Sequence, residues 1–197
     1  MDYTNRKIQV LFSWDGYPRQ GSAGLIGNLL SGNHITTIDC DASAILCGAD
    51  GRPICDGLQG CVIYYDNQRM FDGAIEHGGD NTINDINSEI ITIDLKKLPE
   101  TVKAVLLTLD VFKCKEKKSV SFRKNHTQMV KICDADSKEE LETFNYFGIP
   151  SNGIRLCGIL SKNDDGTWSF KNNGKHLDGI KSKEDLLSLS LSLKELY

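Results

Sequence analysis

The 197-residue sequence predicts an all-β protein: a β-sandwich of two mainly antiparallel sheets, with short helices and a helix at its C-terminal end. Three observations predict it. Many short segments alternate apolar and polar side chains with the period of two that a half-buried strand requires. Clusters of Asp, Asn, Gly and Pro punctuate them at close spacing. Residues 104–112 are nearly all apolar, as expected of a central strand covered on both faces.

The elements follow in order. In 7–14, Ile8, Val10, Phe12 and Trp14 alternate with Lys7, Gln9, Leu11 and Ser13, which is a strand. Asp15-Gly16-Tyr17-Pro18 turns the chain out. The glycine-rich stretch 16–33 is read as a surface loop, with Leu25, Ile26, Leu29 and Leu30 suited to one helical turn. It lacks the Lys-Ser or Lys-Thr pair of a phosphate-binding loop. The next strand is 35–47, in which Asp39 and Asp41 share a face about 7 Å apart at strand rise. Cys40, Ala42, Ala44 and Leu46 face the other way, toward a core. Ala49-Asp50-Gly51-Arg52-Pro53 is a turn. Short strands are expected at 61–65, 89–95, 119–122 and 127–133, and the basic run 113–118 is read as a hairpin tip. Residues 140–146 are expected to pair with 153–160. Asn163-Asp164-Asp165-Gly166 is a hairpin turn into Trp168 and Phe170, its acids serving the turn backbone. In the tail, Ser182-Lys183-Glu184-Asp185 has the form of a capping box, and Leu186, Leu189, Leu193 and Leu196 share a helical face. Leu187 to Leu193 also alternates with serine, a strand pattern, but the cap favours a helix packed on its own domain.

One stretch asks for chemistry. His77-Gly78-Gly79-Asp80-Asn81-Thr82-Ile83-Asn84-Asp85-Ile86-Asn87-Ser88-Glu89 is read as a polar loop between strands, dense in hard oxygen donors. Such donors suit Ca²⁺, which takes about six to eight oxygens. The paired carboxylates of Asp39 and Asp41 repel each other, and a cation between them removes the repulsion. His77 orients this loop by a hydrogen bond rather than ligating, since Ca²⁺ prefers oxygen.

These residues, taken together, carry a resemblance. Trp14-Asp15, then Asp39-Cys40-Asp41-Ala42-Ser43, then His77-Gly78-Gly79-Asp80-Asn81, then Glu89 to Leu95 with Leu98-Pro99, and finally Gly166-Thr167-Trp168-Ser169-Phe170 resemble the tellurium-resistance (TerD) family in order and spacing. The resemblance implies a compact sandwich that binds Ca²⁺ through its acidic loops. It implies a place in bacterial or phage stress responses to tellurite, DNA damage or phage, with no reaction assigned to the domain. It implies metal donors at Asp15, Asp39, Asp41, Gly79, Asp80, Asn81, Asp85, Asn87 and Glu89, with Asp15 read equally as an N-cap-like stabiliser of the loop that follows Trp14. The sequence departs from the family where Asn87 and Ser88 stand in place of carboxylates, which weakens a cation site by removing Coulomb attraction. Residues 22–33 look like an insertion. The sandwich domain is expected over 1–179, and 180–197 as a helical extension.

Composition sets the exclusions. A net charge of −4 argues against nucleic acid as primary partner, because phosphate contacts need clustered Lys and Arg. The opening residues 1–7 are polar, without the apolar stretch of a secretory leader, and no segment reaches the ~18 apolar residues of a membrane span. Seven cysteines in such a chain read as reduced, buried thiols of a cytoplasmic protein. The alternative is thiol chemistry on an oxyanion, which needs an exposed thiol of lowered pKa. No nucleophile–base constellation is found, so the expected function is a non-catalytic calcium-binding module acting through other proteins of a stress-response assembly or a small ligand. The alternatives are a metal-dependent hydrolase of phosphoesters and, from a slime-mould relative only, a cyclic-nucleotide-binding protein.

Overall fold

The computed structural model describes residues 1–15, 40–83, 86–110, 127–148, 154–177, 180 and 182–188; for Asp15 and for 80–87 it describes backbone alone, without 84 and 85. Eleven strands carry the described fold: β1 (Lys7–Asp15), β2 (Asp41–Cys47), β3 (Val62–Ile63), β4 (Arg69–Met70), β5 (Ile75–Ile83), β6 (Ile86–Asp94), β7 (Ala104–Asp110), β8 (Thr127–Asp134), β9 (Glu140–Phe147), β10 (Ile154–Lys162) and β11 (Trp168–Leu177). A short helix α1 (Leu58–Cys61) and 3₁₀ turns at Phe71–Gly73 and Glu184–Ser188 complete it.

The strands form a six-stranded sheet, β4-β5-β6-β1-β8-β9, and a five-stranded sheet, β11-β10-β7-β2-β3. Every pairing among the described strands is antiparallel. The expected sandwich is therefore present. In β1 the predicted alternation buries Ile8, Val10, Phe12 and Trp14. Residues Ala104–Asp110 of β7 are buried on both faces, and β7 lies between β10 and β2 as a central strand.

Four expectations change. The 77–89 stretch is no loop: β5 and β6 run through it as a hairpin. Its polar residues suited a loop by composition, but pairing on both sides of β6 satisfies the backbone. Residues 140–146 do not pair with 153–160. The edge strand β9, mostly part-buried, pairs with β8, whereas β10 is buried almost throughout and lies between β7 and β11. A strand covered on both faces needs a partner on each side, so it went to the other sheet. The strand expected at 61–65 shrinks to β3, because Cys61 closes α1 with its thiol directed at the Cys55 and Gly57 carbonyls. The tail begins as a 3₁₀ turn, Glu184–Ser188, where an α-helix was expected. Half of the capping box forms: the Ser182 N–H donates to Asp185 Oδ2 at 3.0 Å. Ile180 and Leu186 are buried in the common core, so this part of the tail packs on its own domain. The 16–33 stretch, the 113–118 run, the 119–122 strand and Leu189, Leu193 and Leu196 lie outside the described residues. No described helix is long and apolar enough to cross a membrane.

Strand polarity places the site. The C-terminal ends of β1, β5 and β7 meet the N-terminal ends of β2, β6 and β10 at one end of the sandwich. Tight turns at Gly48–Arg52 and Asn163–Thr167 close the opposite end, with backbone bonds from Gly48 to Arg52 and from Asn163 to Thr167.

Candidate functional site

The site starts from a bulge. Within β5 the register slips between His77, opposite Ile91, and Asp80, opposite Glu89. Three steps on β5 thus span two on β6. Gly79 makes this possible with φ of +75°, a conformation that side-chain-bearing residues rarely adopt. The bulge turns the Gly79 N–H onto His77 Nδ1 at 3.1 Å. An accepting Nδ1 carries no proton, so Nε2 carries it and donates to Glu89 Oε2 at 3.2 Å.

Glu89 then ties the sheets. It is 2% exposed, and its Oε2 also accepts the Ala42 N–H at 2.6 Å, from β2 of the other sheet. A buried carboxylate needs such charge-assisted bonds. A second tie runs beside it: Arg155 Nε on β10 donates to Gln128 Oε1 on β8 at 2.7 Å. The same guanidinium reaches the Gly174 and Gly148 carbonyls and lies over the Tyr146 ring.

On the five-stranded sheet, Asp41 and Asp110 stand directly opposite each other in the β2–β7 ladder, with Ser43 opposite Thr108. Asp110 is fully buried. Burial pushes its carboxyl up to about 7; Lys183 pulls it back down, while Asp41 and Glu89 add to the rise. Lys183 Nζ lies 2.5 Å from Asp110 Oδ2 and 2.8 Å from Ser43 Oγ, and 4.0 Å from Asp41 Oδ2. The other carboxylate oxygen, Asp110 Oδ1, is buried without a hydrogen-bond partner among the described residues.

The expected donors fall as follows. Asp41 and Glu89 are brought to this end of the sandwich, with Gly79 at the bulge. Asp80 lies opposite Glu89, Asn81 opposite Ser88 and Asn87 opposite Trp14, while Asp15 ends β1 opposite Ile86. Their backbones converge; their side chains lie outside the description, as do Asp39 and Asp85 altogether. Among the described residues, no group of three His, Cys, Asp or Glu assembles a ready metal centre. The sequence reading missed Asp110, Ser43 and Lys183. Asp110 had a signal, an acid closing an otherwise apolar buried strand. Lys183 had none, since nothing in the tail states what it touches.

Other candidates resolve into structure. Asp165 Oδ1 accepts the Thr167 N–H at 2.9 Å, the backbone role expected of that turn. Cys47, Cys61 and Cys157 are buried, and burial pushes each thiol up to about 12, opposite to what an attacking thiol needs.

Comparison with known proteins agrees with this architecture. The model of the TerD domain family matches residues 3–181. The chain is 28% identical over 184 residues to the stress response protein SCP2 of Bacillus subtilis (strain 168), covering 92% of this chain and 88% of that protein. It is 26% identical over 161 residues to the tellurium resistance protein TerZ of Serratia marcescens, covering 80% and 73%. A crystal structure of a homologue of telluride resistance protein (TerD) from Streptomyces coelicolor A3(2) shares the fold, with a TM-score of 0.58 at 18% identity over 88% of this chain and 91% of that one.

Proposed function

This chain belongs to the TerD domain family, and from that premise we propose that it is a calcium-binding, non-catalytic module of a tellurite- or stress-resistance system, acting through other proteins of the assembly or a small ligand. Its similarity to stress-response and tellurium-resistance proteins supports the setting. One observation carries the calcium reading. Asp110 Oδ1 is buried without a partner among the described residues, on a carboxylate directly opposite Asp41. A buried, unpaired carboxylate oxygen is costly, and a hard cation satisfies it.

Calcium would be held by Asp41 and Asp110, with donors from Asp15, Asp39, Gly79, Asp80, Asn81, Asp85, Asn87 and Glu89. The bound ion would supply charge neutralisation at the strand ends. The protein's own part is to hold these ends in register, through the Gly79 bulge and the Glu89 and Arg155 ties.

Calorimetric titration with Ca²⁺, with and without Mg²⁺, tests the reading. Calcium should also raise the melting temperature, since an ion bound only to the folded state stabilises it by about 2.7 kcal/mol at a hundredfold excess over Kd. Asp41→Asn or Asp80→Asn should remove most of that gain. Variants that melt like the wild type with and without calcium would put the site elsewhere, and turnover of a generic phosphoester with Mn²⁺ would replace this reading with a hydrolase.

A further inference from the structure

We propose that Lys183 is a tethered cation seated at Asp41, Ser43 and Asp110, and that a divalent cation at Asp41 and Asp110 displaces it and releases the turn that carries it. The proposal rests on the calcium-binding reading above and names its internal competitor.

The surroundings of Lys183 are those of a bound cation. The residue is 8% exposed. Its ammonium faces two carboxylates and a hydroxyl, and the rings of Tyr64 and Tyr65 lie 5.8 and 5.7 Å away. Aromatic faces attract a cation at such distances. Among the described residues the ammonium faces two carboxylates, Asp41 and Asp110, and Asp110 Oδ1 stays unbonded. A divalent ion neutralises both acids at once. It cannot share the seat, because two cations at contact distance in a buried place repel strongly.

The anchor is light enough to move. The turn Glu184–Ser188 is five residues long; it buries Leu186 and packs Leu187 partly against the core. It is braced by the Leu186 N–H to the Lys183 carbonyl and the Ser182 N–H to Asp185. These bonds are internal to the turn, so it can leave as a unit without losing them. Release uncovers Tyr64, which is 6% exposed, beside the vacated carboxylates, so metal loading becomes a change of exposed surface at one end of the sandwich.

Two measurements on the full chain test this. Trypsin cleavage after Lys183, followed by mass spectrometry, should be slow without calcium and at least several-fold faster with it. Calcium titration of Lys183→Met should show tighter binding than the wild type, by about tenfold if the lysine is seated nine-tenths of the time. Equal or weaker affinity in the variant, or cleavage that calcium leaves unchanged or slows, overturns the competition while the calcium reading stands. Absence of calcium binding in both proteins overturns both. The cleavage assay on the wild type decides the matter if Lys183→Met does not fold.

Discussion

A single carboxylate, Glu89, shows how a residue's surroundings decide its role. Sequence reading marked it as one oxygen donor among several. In the structure its Oε2 takes the Ala42 N–H and the His77 Nε2 proton, and so pins β6 to β2. Glu89→Gln keeps the shape and loses the charge. It should cost about 1.5–3 kcal/mol, the range for hydrogen bonds to charged groups, read as a lower urea midpoint with unchanged slope. The orienting role expected for His77 was legible because Ca²⁺ prefers oxygen ligands, which left the imidazole a hydrogen-bonding part. That the same ring would bridge to Glu89 was not legible, since burial depends on the bulge register. The thiols give a second prediction at this scale. With Cys40, Cys47, Cys61 and Cys157 buried and Cys55 and Cys133 part-exposed, iodoacetamide at pH 8 should label Cys55 and Cys133 before those four. Rapid labelling of Cys47 or Cys157 in the native protein would contradict the environment described.

Among the elements, alternation told the truth wherever one face meets the core. Ile8, Val10, Phe12 and Trp14 announced β1 by themselves. It failed where composition and topology compete: the Asp- and Asn-rich 77–89 stretch reads as loop, yet cross-strand pairing makes it β5 and β6. Nor does proximity in sequence reveal that β9 and β10 belong to different sheets. Two glycines test the geometry in opposite ways. Gly79 has open space around its missing Cβ and φ of +75°, so Gly79→Ala should cost only backbone strain, about 1–2 kcal/mol. It should also disturb the His77–Glu89 bond, visible as a shifted imidazole resonance. At Gly158, on the irregular step of β10, a Cβ would overlap the Phe170 ring, itself packed on Phe144. Gly158→Ala should therefore cost about 1–3 kcal/mol by overpacking and leave the Glu89 tie unchanged in hydrogen exchange of the Ala42 amide.

Across the whole molecule, the sandwich was legible, because alternating segments and turn residues recur along the chain; of the expected donors with described side chains, Asp41 and Glu89 share one end of it. The seating of the tail was not, since Lys183 and Asp110 are 73 positions apart and no local pattern joins them. Removing 180–197 should lower stability. Ile180 and Leu186 leave the core, each worth about 1.5–3 kcal/mol by burial, and Asp41 and Asp110 then face each other without a cation. The truncated protein should gain more in melting temperature from calcium than the full chain does; a smaller gain would count against the placement of the acids. The polarity of the strands also makes the molecule its own ruler. Asp110 lies beside Ile154, where β10 begins, and Asp165 lies in the turn just beyond its end. Nine residues at about 3.3 Å each separate the two poles by roughly 30 Å. A luminescent lanthanide substituted for calcium would sit that far from a dye attached at position 165. The efficiency of energy transfer between them would tell, in one solution measurement, which pole holds the ion.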